Sequence, residues 1–217
     1  MNDIVSAESS DYYSRQRSWP ALFQIRHGGR FLDIGCGKGM LGAFLKQRFA
    51  AKVTGIEIFQ EYADEAAKYL DEVLCGNIEE LNLTAYKNQF DHVIFSDSLE
   101  HLLDPKSALM KARGMLRADG ALLLAIPNVR NFRVTLPLIF LGRFEYQDEG
   151  LLDRTHLRFF TRSSITNLLQ KCGFEVESVK VDLPSNSKVG LLNMLTLGLF
   201  RETLTSHFFI KACKKNS

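Results

Sequence analysis

The sequence lacks the features that define several large classes of protein. Its longest apolar stretch, VGLLNMLTLGLF (Val189 to Phe200), has 12 residues, well short of the roughly 20 that a membrane-spanning helix needs. The four cysteines lie far apart and form no C-x-x-C pair, which argues against a zinc site or a disulfide framework. The formal net charge is only +2, too small for binding nucleic acid through its phosphates. We therefore predict a small-molecule partner, no nucleic acid and no transmembrane segment.

The N-terminus also lacks an apolar core behind basic residues, so we predict no signal peptide and a cytoplasmic protein. A length of 217 residues, 46% of them apolar, suits one globular domain with a sizeable core. We predict that 1–217 form this single domain and that 1–29 form an N-terminal helical lid.

From Arg30 onwards, short apolar runs alternate with helical patterns, which is typical of βαβ units. Five runs predict parallel strands: RFLDI, KVTGIEIF, EVLCGNI, FDHVIFSDS and ALLLAIPN. Asp104 can cap a helix that has Pro105 at its first position. EVESVKVDL and TSHFFIKACKK alternate in polarity and predict two terminal strands that could pair as a hairpin. The segments 128–160 and 184–201 are predicted to cover the substrate.

The stretch RFLDIGCGKGMLGAFL (Arg30 to Leu45) places a glycine-rich turn between a predicted strand and a predicted helix. Such a turn exposes the unpaired amides of the helix N-terminus to a ligand. The P-loop pattern G-x-x-x-x-G-K-[ST] does not occur in it. The dinucleotide pattern G-x-G-x-x-G needs a glycine where Met40 stands if it starts at Gly35, and it begins too late after the strand if it starts at Gly37.

Two acids near strand ends indicate which nucleotide-like ligand the turn would bind. Asp33, two residues before the first glycine, would repel a pyrophosphate but suits an ammonium group. Glu57, 20 residues after Gly37, can accept hydrogen bonds from both hydroxyls of a ribose. Each acid alone has a structural alternative, a cap of the next turn for Asp33 and a solvated strand end for Glu57. Together they predict S-adenosylmethionine, a ribose joined to an amino acid.

The motifs LDIGCGKG, VTGIEI, CGNIEEL, FDHVIFSDSLEHLLDP and LRADGALLLAIPN, in this order, resemble those of class I S-adenosylmethionine-dependent methyltransferases. The resemblance covers Arg30 to Asn128. SDSLEHLLDP and THLRFFT are similar to the group that includes the ubiquinone-biosynthesis O-methyltransferases. The resemblance implies an α/β fold, a Rossmann-like doubly wound sheet of seven strands, mostly parallel with a C-terminal antiparallel hairpin.

The resemblance also implies roles for the residues that follow the strands. Asp33 would face the methionine amino group, and Glu57 would hold the ribose. Asn77 stands where the family usually has Asp, so that its contact with the adenine amino group would be uncharged. The backbone of the turn would be formed by Gly35, Gly37 and Gly39. The apolar adenine pocket would be formed by Ile58 and Ile78, and the methionine end by Ser96, Asp97 and Ser98.

An oxygen acceptor must be aligned and must lose its proton, which a nearby histidine can accept at neutral pH. His101, after the fourth predicted strand, and His156, in DRTHLRFF, are the predicted catalytic residues. Each has a structural alternative: His101 as a helix-start residue bonded to backbone, and His156 as a loop anchor beside Asp153 and Arg154.

Asp97, Glu100 and His101 could also bind a divalent cation if they share a helical face. Glu100 could instead be a surface acid or a salt-bridge partner, and we predict no metal.

We predict a methyltransferase that moves a methyl group from S-adenosylmethionine to a small-molecule acceptor, at oxygen in preference to other atoms. The alternatives are a nicotinamide-dependent oxidoreductase on the same fold and a non-catalytic subunit that binds S-adenosylmethionine. We expect a monomer or a homodimer, and peripheral contact with a membrane through the apolar segments stays open.

Overall fold

In a computed structural model, which describes residues 25, 27–181 and 194–215, the described residues form one seven-stranded sheet. The predicted N-terminal lid lies outside the described residues except for 25 and 27–29, and so does 184–193 of the second covering segment. The strands are β1 (Arg30–Ile34), β2 (Lys52–Glu57), β3 (Glu72–Cys75), β4 (Phe90–Ser96), β5 (Leu116–Pro127), β6 (Phe174–Val181) and β7 (His207–Lys214).

The strand order is β3-β2-β1-β4-β5-β7-β6. β1 pairs in parallel with β2 and β4, β2 with β3, and β4 with β5. β7 runs antiparallel to both of its neighbours, β5 and β6. The predicted doubly wound sheet with a C-terminal antiparallel hairpin is therefore confirmed. Because the chain builds outward from β1 in one direction and from β4 in the other, the crevice for ligands is expected at the carboxyl ends of these two strands.

Helices connect the strands and cover the sheet. They are α1 (Met40–Phe49), α2 (Gln60–Ala66), α3 (Pro105–Met115), α4 (Phe132–Leu141), α5 (Arg162–Lys171) and α6 (Arg201–Leu204), with 3-10 turns at Thr84–Tyr86 and Leu99–His101. The predicted cap of α3 is present, because an Asp104 carboxylate oxygen accepts a hydrogen bond from the Ser107 amide at 3.1 Å. The residues around His101 form a 3-10 turn, whereas the sequence predicted the start of a helix there.

The core has an apolar layer on each face of the sheet. In β5, Leu122 and Leu124 join the layer that α3 and α5 cover, whereas Leu123 joins the layer that α1 covers. This alternation is the period of two that a strand imposes. Since both faces of β5 are covered, its run ALLLAIP is apolar at every position.

The segment 128–160 contains one helix that the sequence did not reveal. α4 (FRVTLPLIFL) is apolar on all sides and contains Pro137, so its sequence shows no polar face. It buries Val134, whereas Ile139 and Phe140 are 70% and 76% exposed. Among the described residues, no helix is both long and apolar enough to cross a membrane.

We expect Asp104→Ala to lower the free energy of unfolding by about 1 kcal/mol, because the first turn of α3 loses its side-chain cap. Chemical denaturation measures this loss. Asp119→Ala, which removes the same group from an exposed position, is the matched control and should change stability by less than about 0.5 kcal/mol. Equal losses in the two variants would contradict the assigned cap.

Candidate functional site

The turn between β1 and α1 is built on glycines with left-handed backbone angles. The φ angles are +75° at Gly35, +52° at Gly37 and +81° at Gly39, a region that glycine adopts without strain. The amides of Gly35 and Cys36 donate hydrogen bonds to the Ile56 carbonyl at 2.8 and 3.1 Å. The turn is thereby fixed against the end of β2.

Ser98 ties the end of β4 to the end of β1. Its hydroxyl donates a hydrogen bond to the Ile34 carbonyl at 2.7 Å. A Cβ atom on Gly35 would lie 2.7 Å from the Ser98 Cβ, closer than two non-bonded carbon atoms can approach. Gly35 is therefore required both by its backbone angle and by the contact with Ser98.

Glu57 holds the centre of the glycine turn. One carboxylate oxygen accepts a hydrogen bond from the Gly37 amide at 2.9 Å, and the other accepts one from the Phe59 amide at 3.0 Å. The side chain is buried, so the alternative of a solvated strand end is wrong. Each carboxylate oxygen has a second lone pair that a ligand hydroxyl can use.

Asp33 is a buried acid without a donor. Its side chain is 1% exposed, and Oδ1 has no hydrogen-bond partner among the described residues, so the alternative of a turn cap finds no support. Burial, and to a lesser extent the nearby Glu57 carboxylate, raise the pKa of Asp33 to about 7. A buried carboxylate without a partner is unfavourable. A bound cation would remove that penalty.

An apolar surface follows β2 and β3. Ile58 is 56% exposed directly after β2, whereas Ile78, after β3, is buried. Asn77 lies beside Ile78, and its side-chain oxygen accepts a hydrogen bond from the Glu79 amide at 3.0 Å. A flat apolar ring with polar edges is the kind of ligand that such a surface can hold.

The two predicted catalytic histidines lie together. The ring centroids of His101 and His156 are 4.8 Å apart. His101 Nδ1 lies 3.1 Å from both the carbonyl and the hydroxyl oxygen of Thr155. His156 Nδ1 lies 3.3 Å from the Leu151 carbonyl oxygen. The segment 128–160 therefore brings His156 against the 3-10 turn that follows β4.

Glu100 is buried beneath this pair. It is 1% exposed, so the alternative of a surface acid is wrong. Its Oε1 lies 3.9 Å from His156 Nε2, and neither carboxylate oxygen has a hydrogen-bond partner in the described chain. Burial raises the pKa of Glu100 well above its ordinary value, and the charge of Asp97 adds to this effect. Burial and then the neighbouring His101 lower the pKa of His156.

One atom each of Glu100, His101 and His156 lie within 4.8 Å of one another, a spacing at which three ligands could surround a cation. The group does not include Asp97. The hypothesis of a cation site placed Asp97, Glu100 and His101 on one face of an α-helix. The structure has a 3-10 turn at Leu99–His101, and its side chains follow a different angular spacing.

The predicted cofactor residues all lie at the carboxyl edge of the sheet, at or just after β1, β2, β3 and β4. They are Asp33, Gly35, Gly37, Gly39, Glu57, Ile58, Asn77, Ile78, Ser96, Asp97 and Ser98. The structure adds groups that sequence reasoning missed. His207 Nε2 lies 3.1 Å from Asp97 Oδ1, and Thr155 contacts His101. A histidine that begins a strand after a long connector carries no sequence signal that pairs it with an acid after β4.

The chain is similar to known methyltransferases in sequence. A family model described as a methyltransferase domain matches residues 11–179. The ubiquinone biosynthesis O-methyltransferase of Dinoroseobacter shibae is 28% identical over 179 residues, which are 80% of this chain and 69% of that protein. The matches with two further proteins of that name span 66% of their length.

Solved structures show the same architecture. A S-adenosylmethionine-dependent methyltransferase from Archaeoglobus fulgidus superposes with a TM-score of 0.66 and 19% identity, over 93% of this chain and 92% of that one. The 1,6-didemethyltoxoflavin-N1-methyltransferase of Burkholderia thailandensis, solved with S-adenosylhomocysteine, gives a TM-score of 0.63 and 15% identity, over 96% and 80% of the two chains. At these identities the likeness shows the fold.

We expect Gly35→Ala to destabilise the chain more than Gly37→Ala. Both substitutions place alanine at a left-handed angle, which costs roughly 1–2 kcal/mol, but only at Gly35 would the new methyl group meet another atom within 4 Å. Overpacking adds about 1–3 kcal/mol. Chemical denaturation measures both variants.

In the Gly35→Ala background, Ser98→Gly should recover part of the lost stability because it removes the opposing Cβ atom. Equal losses in the two alanine variants, or no recovery, would contradict the packing assigned to this turn.

Proposed function

The chain belongs to the methyltransferase domain family, in the class I group that uses S-adenosylmethionine, and on this premise we propose that it transfers a methyl group from S-adenosylmethionine to an oxygen atom of a small-molecule acceptor. The observation that carries the proposal is the buried Asp33 carboxyl without a donor, beside a glycine turn at the switch point of the sheet. Oxygen as the atom that receives the methyl group is supported by the curated relatives, which are named O-methyltransferases.

The residues at this edge fit the cofactor. Asp33 would accept a hydrogen bond from the amino group of the methionine moiety, which supplies the donor that its Oδ1 lacks. Glu57 would hold the ribose hydroxyls with the lone pairs that the Gly37 and Phe59 amides leave unused. When bound, S-adenosylmethionine supplies a methyl group activated by a sulfonium.

The remaining predicted cofactor residues would complete this pocket. Gly37 would leave room for the ligand, because a Cβ atom there would meet nothing within 4 Å, whereas Gly35 and Gly39 let the turn pack against Ser98 and Ala66. Ile58 and Ile78 would pack against the adenine, and Asn77 would accept a hydrogen bond from its amino group. The methionine end would be lined by Ser96, Asp97 and Ser98.

We propose His101 as the group that takes the proton of the acceptor hydroxyl. Its Nδ1 faces the Thr155 hydroxyl, which in turn donates a hydrogen bond to an Asp153 carboxylate oxygen at 2.6 Å. This series of hydrogen bonds orients the imidazole, and Nε2 is then the nitrogen that accepts the proton. The ring of His156, kept neutral by its lowered pKa, packs against His101 and is proposed to hold it in place.

The segment 128–160 is proposed to cover the acceptor, because it contributes Asp153, Thr155 and His156 to the same edge as the cofactor residues. The nicotinamide alternative gains no support, since an unpaired buried acid at the turn would face the cofactor's pyrophosphate. The cytoplasmic location, the monomer or homodimer and the contact with a membrane surface stay predictions.

We expect the affinity for S-adenosylhomocysteine, which carries the same amino group, to depend on pH through Asp33. The ammonium group binds the ionised carboxylate, and Asp33 has a pKa of about 7 in the free protein. Affinity should therefore fall by about tenfold for each pH unit below 7 and level off above it. Calorimetry between pH 5 and pH 8 measures this.

In Asp33→Asn the binding should be weaker by about 10- to 100-fold at pH 8 and should lose this pH dependence. Asp119→Asn, at an exposed position, is the matched control and should behave as the native chain. A steep pH dependence that survives in Asp33→Asn would contradict the assignment.

Methyl transfer is tested with labelled S-adenosylmethionine and a panel of phenols, sugars and carboxylates. We expect a methyl ether to form from at least one hydroxyl compound. His101→Gln should lower the rate by about 100-fold or more without weakening S-adenosylhomocysteine binding, whereas His27→Gln, which changes an exposed histidine ahead of β1, should leave it unchanged. Cofactor binding without transfer to any acceptor would favour the non-catalytic alternative.

A further inference from the structure

The end of β4 carries a second acid whose buried oxygen lacks a donor. Asp97 Oδ1 is shielded from solvent and has no aligned hydrogen-bond partner among the described residues, although His207 Nε2 lies 3.1 Å away. The backbone of Asp97 is left-handed, with φ at +50°. A residue other than glycine in this conformation is strained, and such strain concentrates at ligand sites.

His207 is held firmly in front of Asp97. It begins β7 beside Pro127, at the carboxyl end of β5. The Thr205 hydroxyl donates a hydrogen bond to the His207 carbonyl at 3.0 Å. The Thr205 carbonyl in turn accepts hydrogen bonds from the side-chain amides of Asn128 and Asn131 at 3.0 and 2.8 Å. All four of these polar side chains are buried, so the imidazole sits on a fixed support.

Asp97 and Ser98 face opposite halves of the site. Ser98 contacts Ile34 at the end of β1, on the half that holds the predicted cofactor residues. Asp97 contacts His207 at the start of β7, on the half that the covering segment 128–160 also reaches. Asp33 already accounts for the amino group of the cofactor. The backbone of Asp97 would still line the methionine end, and its carboxylate is left to face the acceptor.

The surroundings of Asp97 are rich in acids and imidazoles. Its charge helps to raise the pKa of Glu100 and acts against the lowering of the pKa of His156. His207 Nε2 lies 3.1 Å from Asp97 Oδ1, and His156 Nε2 lies 3.9 Å from Glu100 Oε1. Such a place favours a ligand that donates hydrogen bonds and disfavours a second carboxylate, which would be repelled and would leave Asp97 Oδ1 without a donor.

We propose that Asp97, positioned by His207, is a specificity-determining residue that selects acceptors offering a hydrogen-bond donor and rejects acceptors with a carboxylate at the same place. The inference rests on the proposed methyl transfer, since it assigns Asp97 to the acceptor half of that site. The expected acceptors are hydroxyl compounds that carry no charge next to the reacting group.

Two matched pairs of probes test the selection. Catechol and salicylate share a phenol ring, but the group beside the phenol hydroxyl is a second hydroxyl in catechol and a carboxylate in salicylate. In the second pair, methyl glucoside carries a hydroxymethyl group where the methyl glycoside of glucuronic acid carries a carboxylate. Binding of each probe is measured by calorimetry with S-adenosylhomocysteine present and with EDTA, so that no cation bridges a carboxylate to the protein. In each pair, the uncharged member should bind at least about tenfold more tightly.

Asp97→Asn should reduce this preference to about threefold or less. His207→Gln should do the same while leaving the affinity for S-adenosylhomocysteine unchanged. His27→Gln is the matched control and should keep the full preference. Because each preference is a ratio within one protein sample, partial loss of folded protein does not change it.

Equal binding of the charged and uncharged members by the native chain overturns the inference, and so does failure of both uncharged probes to bind. A full preference in His207→Gln overturns the positioning role of His207. Selective binding without any methyl transfer contradicts the proposed function and leaves the selection standing, so the two failures are distinguishable.

Discussion

The burial of Asp33 without a hydrogen-bond donor is the constraint on which the rest of the site depends. Asp33 lies in β1, paired with Gly55 of β2 and Ile94 of β4, and is 1% exposed. The free protein tolerates this acid by raising its pKa to about 7. A ligand that brings an ammonium group to this point supplies the missing donor and the missing charge together.

The elements around Asp33 divide the carboxyl edge into two halves. On one side, Glu57 fixes the glycine turn and apolar residues follow β2 and β3, which suits an adenosyl group. On the other side, Glu100 and His101 lie against His156 of the segment 128–160, and His207 Nε2 lies 3.1 Å from Asp97 Oδ1. Ser98 bridges the halves through its hydrogen bond to Ile34. The cofactor and the acceptor can thus meet above the switch point between β1 and β4.

Local chemistry made much of this arrangement predictable from the sequence. The strands could be identified because apolar runs alternate with helical patterns. The residues proposed to bind the cofactor could be placed at one edge of the sheet because they lie within a few residues of strand ends. α4 escaped prediction because a helix without a polar face has no period. The burial of Glu100 and the contact of His207 with Asp97 depend on how distant segments pack, which a single sequence does not encode locally.

Calorimetric titration of the native chain with S-adenosylhomocysteine and, separately, with NADH at pH 8 shows whether Asp33 selects the cofactor. Both ligands carry adenosine, but only the first brings an amino acid ammonium group to Asp33, and the second brings a pyrophosphate. We expect saturable binding of S-adenosylhomocysteine and none of NADH. Binding of NADH without binding of S-adenosylhomocysteine would contradict this expectation.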